Sequence, residues 1–379
     1  MLLWHGFHFG VVVNALPRSE CPTRQSLPYP AVIVRLSCFP KLPTPFQSRM
    51  QFPKLGNSAE ALGLIPLEST GDDRFQTGRN GVQSVAGTGD GKVEFIGFDA
   101  HTLARVGSAM GYPAYYPVDA LEGEEPVEAV LMDLDGTTVH SEEFWIWIIQ
   151  MSTASLLGDR TFELEDADLP YVSGHSVSEH LQYCVEKYCP DRSVEAAREF
   201  YFEHTHREMK EILAGGGRPE AFKPSPGIKD FLLELKALGI RLGLVTSGLY
   251  EKAYPEILDA FRTLELGDPA EFYDAIITAG FALRKGAAGT LGELSPKPHP
   301  WLYAETFRVG LGMEYAQRGR AIGIEDSGAG VCSIRLAGLE PWGIGGGNIE
   351  SSGTRGLCRH YAMNFEALLG NIKARTASG

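Results

Sequence analysis

Apolar positions along this chain fall into recognisable rhythms only after about residue 128. From Ala129 to Leu134 an apolar run ends in acid and glycine, as a strand buried on both faces of a parallel sheet would read. Ser141, Glu142 and Glu143 then form a helix start, followed by Phe144, Trp145, Ile148 and Ile149 at helical spacing. Further helical stretches are predicted at Ser176 to Tyr188 and Val194 to Leu213, bounded by Pro190 and by Gly215, Gly216 and Gly217. After Pro226 and Gly227 the pattern alternates. Helices are predicted at Ile228 to Leu238, Glu251 to Leu264, Pro300 to Leu311 and Ala329 to Ala337, and strands at Ile240 to Val245, Ala275 to Thr278 and Ala321 to Ile324. Such alternation predicts an α/β fold, a parallel sheet with helices on both faces, and the helical block 142–222 reads as an insert after the first strand.

The first 91 residues show no sustained period, and their second half is punctuated by Gly71, Gly78, Gly81, Gly87, Gly89 and Gly91, so they read as a poorly structured tail and linker. Residues 92–126 hold a short apolar stretch around Phe95 to Phe98 and the aromatic cluster Tyr112, Tyr115 and Tyr116, an extension with no readable role. The predicted organisation is therefore tail at 1–91, extension at 92–126, core at 127–141 and 223–379, and a helical cap at 142–222.

Composition narrows the function classes. The 379 residues are 44% hydrophobic and 22% charged, enough to bury a large core. The net charge of −14 opposes non-specific attraction to nucleic acid or anionic lipid. That charge is uneven: the first 60 residues carry +4 and the remainder −18. A basic start can be an organelle transit peptide, but eight prolines between Pro17 and Pro53 would break the amphipathic helix such peptides use. A tail, or a start codon read too early with Met50 as the true start, fits better. The apolar runs Val11 to Leu16 and Ala31 to Leu36 are far shorter than the ~20 residues of a membrane span. Six scattered cysteines without a C-x-x-C pair suggest reduced thiols in a cytoplasmic protein. Oligomeric state is not written in these residues.

Four fragments carry candidate chemistry. Asp133-Leu134-Asp135-Gly136-Thr137 places two carboxylates at the end of the first strand, where open α/β sheets bind their ligands. Thr246-Ser247-Gly248 ends a second strand and offers a hydroxyl and backbone amides to phosphate oxygens, although such turns are common. Lys297-Pro298 lies in a loop before a helix, behind a long connection from Leu283 to Ser295. In isolation it reads as a surface lysine. Glu325-Asp326-Ser327-Gly328 closes a third strand with the hard oxygen donors that magnesium prefers, or else caps a helix.

In this order and at these strand ends, the fragments resemble the haloacid dehalogenase superfamily over residues 127–345. Pro226 to Gly239 leading to Val245-Thr-Ser-Gly248, and Ile324 to Gly330, are similar to the same family. The resemblance implies a Rossmann-like core with a helical cap and hydrolysis of a small phosphorylated metabolite. Asp133 would be the nucleophile and form an aspartyl-phosphate, and Asp135 would act as general acid and base. Thr246, Ser247 and Gly248 would hold phosphate, helped by Lys297, which would also shield the anionic reactants. Mg2+ would be bound by Asp133, Asp135 and Asp326, with Glu325 nearby. Dehalogenating relatives lack the second aspartate and ion-pumping relatives carry D-K-T-G-T, so Asp135 favours phosphate ester hydrolysis.

In relatives the cap closes over the phosphate site and selects the leaving group. Gly174 to Leu181 resembles the cap loop aimed at the active site, which makes His175 and Ser176 candidate substrate contacts or, equally, a helix cap. His204 and His206 read as a solvated surface, and Trp145, Trp147 and Tyr201 as core of the cap. A β-phosphoglucomutase-like phosphotransferase is the alternative enzyme. Against it, Trp145 replaces a histidine twelve residues after the nucleophile, and Val177 replaces an arginine three residues after the cap glycine. A catalytically silent metabolite-binding protein is a third reading, opposed by intact Asp133, Asp135, Lys297 and Asp326.

Overall fold

Six parallel strands form the central sheet, in the spatial order Ala275–Thr278, Arg241–Thr246, Ala129–Asp133, Ala321–Glu325, Glu340–Ile344 and His360–Ala362. The structure is a computed structural model that describes residues 51–107, 113–121, 123, 125–172, 177–279 and 294–377. All of these belong to one compact unit. In chain order the described elements are α1 (Ala59–Leu62), β1 (Ile65–Leu67), β2 (Ser84–Gly87), β3 (Val93–Gly97), β4 (Thr102–Val106), β5 (Ala114–Val118), β6 (Ala129–Asp133), β7 (Val139–His140) and α2 (Glu142–Leu157). There follow α3 (Val177–Tyr188), α4 (Val194–Leu213), β8 (Lys223–Pro224), α5 (Ile228–Ala237), β9 (Arg241–Thr246), α6 (Tyr250–Leu264), α7 (Pro269–Phe272) and β10 (Ala275–Thr278). The chain ends with α8 (Trp301–Glu305), β11 (Ala321–Glu325), α9 (Gly328–Leu336), β12 (Glu340–Ile344), β13 (His360–Ala362) and α10 (Phe365–Ala377).

The expected α/β core is present. β6 lies mid-sheet, buried at every position, with β9 on one side and β11 on the other. Its register pairs Asp133 with Val245 and Met132 with Ile324, so the carboxyl ends of all three strands finish side by side. The chain leaves β6 first toward β9 and only later adds β11 on the opposite edge, and such a switch point opens a crevice at the carboxyl rim. Val130, Met132, Leu242, Leu244, Ile322 and Ile324 face one layer of helices, and Leu131, Val245 and Ile277 face the other. The helix expected from Pro300 to Leu311 widens after Glu305 into a π-type turn at Thr306–Gly310.

The helices α2, α3 and α4 sit between β7 and β8. These two short strands pair antiparallel, Val139 with Pro224 and His140 with Lys223, so the chain enters and leaves the helical block at one place. Phe144, Ile148, Leu181, Tyr201, Met209 and Ile212 join the block to the apolar layer of the core. His204 corrects the reading of a solvated surface: it is 6% exposed, and its Nε2 lies 2.8 Å from Ser155 Oγ.

Residues 51–118 depart most from expectation. Where a tail and linker were read through residue 91, the structure has α1 and a five-stranded antiparallel meander in the order β1-β2-β3-β4-β5. One face of this sheet, with Phe95, Ala104 and Val106, joins Phe52 and Leu62 in packing against Val331, Cys332 and Leu336 of α9 and against Ile349 and Leu357. The sheet also reaches the loop of Lys297. The hydroxyl of Tyr116 on β5 lies 2.8 Å from His299 Nδ1, and its ring packs edge-on against Trp301. Arg335 of α9 donates to the carbonyls of Lys54 and Asp119 at 2.7 and 2.6 Å, tying the extension to the core at a second point. If this sheet is integral to the fold, Phe95→Ala, which empties a fully buried aromatic site, will destabilise the protein by about 3–5 kcal/mol. Urea denaturation measures this, and a loss under about 1 kcal/mol would mean that the sheet folds apart from the core.

Among the described residues no helix is long and apolar enough to cross a membrane. Cys184, Cys189, Cys332 and Cys358 are free thiols.

Candidate active site

Asp133 is the last residue of β6, and the turn after it is closed by Thr138, which donates to the Asp133 carbonyl at 2.6 Å. Gly136 makes that turn at φ +85°, and a Cβ there would lie 2.2 Å from Asp326 Oδ2. Glycine is thus required both by backbone conformation and by the close approach of the carboxylate. We expect Gly136→Ala to displace Asp326, at a cost of about 1–2 kcal/mol in backbone strain. Urea denaturation reads this directly, and an unchanged stability would show that the turn accommodates a Cβ beside Asp326.

Asp133, Glu325 and Asp326 bring carboxylate oxygens within 4.8 Å of one another, and all three are buried. Lys297 enters this acidic cluster with its side chain only 7% exposed. Its ammonium pairs with Asp133, lies 2.6 Å from Glu325 Oε1 and reaches the Val245 carbonyl at 3.5 Å. Burial alone would lower the lysine's pKa, but the two carboxylates outweigh that and hold it firmly protonated. Asp133 is shifted the other way: burial and then the charge of Glu325 raise its carboxyl well above the usual range, against the pull of Lys297. Asp326 is raised to about 7 by the same two causes. Three carboxylates facing one ammonium leave uncompensated negative charge, which a divalent cation would neutralise.

Glu325 is firmly held. It accepts from Tyr303 Oη at 2.8 Å and from Ser327 Oγ at 3.0 Å in addition to the lysine. Gly330 in the first turn of α9 makes this possible, since a Cβ there would sit 1.8 Å from Glu325 Cδ. Asp326 accepts from Thr137 Oγ1 at 3.3 Å.

Asp135 stands apart from the carboxylate cluster and faces an open cleft. Its two oxygens accept from Ser141 Oγ at 2.7 Å and from Thr246 Oγ1 at 3.3 Å. Its side chain thus lies outside the clustered carboxylates Asp133, Glu325 and Asp326, where it was expected among the metal ligands. Thr246 Oγ1 also accepts from the Gly248 amide at 2.9 Å, and Ser247 Oγ accepts from the Lys297 amide at 3.1 Å, linking the β9 turn to the lysine loop. His175 and Ser176 lie outside the described residues, as does the segment 280–293 ahead of Lys297.

The cleft over this rim has a volume of about 570 Å³. Asp135, Gly136 and Asp326 line it, together with Trp145 of α2, Tyr201 of α4 and Lys252 of α6. Sequence reasoning missed Lys252, and it also missed Glu256 one turn further along α6. Glu256 is 2% exposed, with Oε1 unpartnered among the described residues. Burial and then the charge of Asp135 push its carboxyl well above the ordinary range. A glutamate in a surface-type helix carries no signal in one sequence that it will be buried next to another carboxylate.

Residues 130–279 match the haloacid dehalogenase-like hydrolase family. Among solved structures, the chain is similar to CbbY from Rhodobacter sphaeroides in complex with phosphate, at 22% identity over 64% of this chain and 96% of that one, with a TM-score of 0.45. It is also similar to the β-phosphoglucomutase of Clostridium difficile (21% identity, 66% and 98% covered, TM-score 0.42). A haloacid dehalogenase-like family hydrolase from Streptococcus pneumoniae gives 21% identity, 65% and 98% covered, and a TM-score of 0.42. No curated protein matches the chain.

Proposed function

Taking as premise that this chain belongs, over residues 130–279, to the haloacid dehalogenase-like hydrolases, we propose that it is a Mg2+-dependent phosphatase acting on a small phosphomonoester. The observation that carries this reading is convergence. Asp133 and Asp135, Thr246, Lys297 and Asp326 come from four separate stretches of sequence and meet at the carboxyl rim of three adjacent strands.

The cation site fits a hard divalent ion. Asp133 and Asp326 offer carboxylate oxygens, with Glu325 beside them bonded to Lys297, and Gly136 leaves room for the close approach of Asp326. When bound, Mg2+ supplies positive charge beside the phosphoryl oxygens. Lys297 supplies a second, fixed positive charge, so an anionic nucleophile can approach an anionic ester. One carboxylate oxygen of Asp133 is held by Lys297, which leaves the other to attack phosphorus as the ester P–O bond breaks. Asp135, held by Ser141 and Thr246, gives its proton to the departing oxygen. In the second half it takes a proton from water, whose oxygen attacks the phosphorus of the aspartyl-phosphate, releasing phosphate and restoring Asp133. Thr246, Ser247 and Gly248, joined to Asp135 and to the Lys297 loop, would hold phosphate oxygens.

Trp145 lies at the cleft where a proton-carrying histidine would serve a mutase, which favours transfer to water. The helices α2 to α4, entering and leaving through the β7–β8 pair, act as the lid. A screen of purified protein against phosphorylated metabolites, with Mg2+ and with chelator, tests the proposal. Phosphate release confined to the Mg2+ arm is expected, and a flat response across the panel would remove it. Interconversion of hexose phosphates primed by a bisphosphate would replace it with the phosphotransferase.

A further inference from the structure

Beyond the motif residues, Lys252 also lines the cleft. Lys252 lies in the first turn of α6, six residues after Thr246, on the same strand, turn and helix unit that borders the phosphate site. Its ammonium sits 3.7 Å from the ring centroid of Trp145 and 5.7 Å from that of Tyr201, and it donates to the Tyr201 hydroxyl at 3.2 Å. Trp145 and Tyr201 come from α2 and α4, so the helical block supplies the walls and the core supplies the charge.

Lys252 differs from Lys297 in what balances it. Lys297 is enclosed by two carboxylates. Among the described residues no carboxylate stands within ion-pair distance of the Lys252 ammonium; its contacts are two aromatic rings and a hydroxyl. Ordering a lysine side chain costs up to about 2 kcal/mol in rotamer freedom, and ring contacts return about 0.5–2 kcal/mol. The rings therefore fix the cation in place, and the carboxylate whose charge it acts on, Glu256 one turn further along α6, is buried and outside ion-pair distance. A half-buried cation, held still and lining the same cleft as Asp135, is a preorganised receptor for negative charge.

We infer that Lys252 binds a second anionic group on the substrate, a carboxylate or a further phosphate remote from the phosphoryl group transferred to Asp133. This rests on the phosphatase reading and deepens it. The substrate class becomes small phosphomonoesters with a second anion, and Lys252 becomes the residue that selects them. Trp145 and Tyr201 then serve selection by aiming the cation, and they present apolar faces to the carbon skeleton between the two anions.

Two matched pairs of substrates test this with the Mg2+-loaded enzyme. Glycerol 3-phosphate and 3-phosphoglycerate differ by a hydroxymethyl against a carboxylate, and fructose 6-phosphate and fructose 1,6-bisphosphate differ by a second phosphate. In at least one pair the wild type should prefer the more charged member. Lys252→Met should then cut kcat/KM for that member about 10- to 100-fold more than for its partner, the size of one charge-assisted hydrogen bond. The loss should fall mainly on KM, and Lys252→Arg should restore most of it. The pair that responds identifies the anion as carboxylate or phosphate. Equal losses within each pair, or a wild type indifferent in both, would overturn the inference while leaving the hydrolase intact. Failure of the wild type to hydrolyse either pair or p-nitrophenyl phosphate would overturn the phosphatase reading, and this inference with it.

Discussion

Replacing Asp133 with asparagine is expected to lower Mg2+-dependent phosphate release by about four orders of magnitude or more, because on the proposed mechanism a neutral amide cannot replace the carboxylate nucleophile. The same substitution should leave the fold in place. Asparagine has nearly the shape of aspartate, and Asp133 stands in a buried group where burial and Glu325 already oppose its charge. Removing that charge takes away one of the two carboxylates paired with Lys297 but leaves the other, Glu325, at 2.6 Å. The melting temperature should therefore move by only a few degrees while activity disappears. Initial rates on p-nitrophenyl phosphate and a thermal melt of the same preparation separate the two effects. Retention of more than about 1% of the activity would remove Asp133 as nucleophile.

The second large effect concerns the acidic cluster without its ion. The Asp326 carboxyl titrates near 3.8 when exposed and near 7 in the fold, so the metal-free folded protein keeps a proton there that the unfolded chain gives up. Stability from this group is fully present below about pH 4, declines as pH rises, and is gone above about pH 7. Asp133 is raised as well and acts in the same direction. With chelator present, the protein should lose on the order of 4 kcal/mol across that window. Mg2+ should reverse the loss, and more so at pH 8 than at pH 5, because at pH 5 the ion must first displace a proton. At a hundredfold excess over its dissociation constant the ion contributes about 2.7 kcal/mol, or several degrees in melting temperature. Melts at both pH values, with Mg2+ and with chelator, check the sign. A shift that is larger at pH 5, or no shift at either pH, would contradict the description of the cluster.

What was legible in the sequence follows from which residues physics constrains most tightly. β6, β9, β10 and β11 are apolar runs because strands of a covered parallel sheet face helices on both sides, and such runs were readable. Asp133, Thr246 and Asp326 were legible as polar residues closing apolar strands, whereas Lys297 stood out only by its order among them, since nothing local marks a loop lysine as buried. The sheet of residues 65–118 was hidden for a related reason. β2 and β3 are buried at every position, so they lack the alternation that marks a one-sided strand. They also contain Ser84, Gly87, Glu94 and Gly97, so they lack the continuous apolar run that marks a two-sided one.

The cleft was half legible. Trp145 and Tyr201 were read as apolar filling, and Tyr201 is indeed buried, yet both face Lys252 across the opening. A lysine on an amphipathic helix is usually solvated, and only the packing of α2 and α4 over α6 turns this one into a wall of the cleft. His204 was misjudged in the same way: its partner Ser155 lies on α2, a different helix, so no spacing within α4 could reveal the bond.

The most direct test is to locate the ion. Crystals grown with Mn2+ in place of Mg2+ give an anomalous signal that marks the metal independently of any assumption about chemistry. One peak about 2 Å from carboxylate oxygens of Asp133 and Asp326, with the Lys297 ammonium still beside Asp133, is the expected result. A metal bound elsewhere, or an acidic rim left without one while Lys297 swings away from Asp133, would contradict the account.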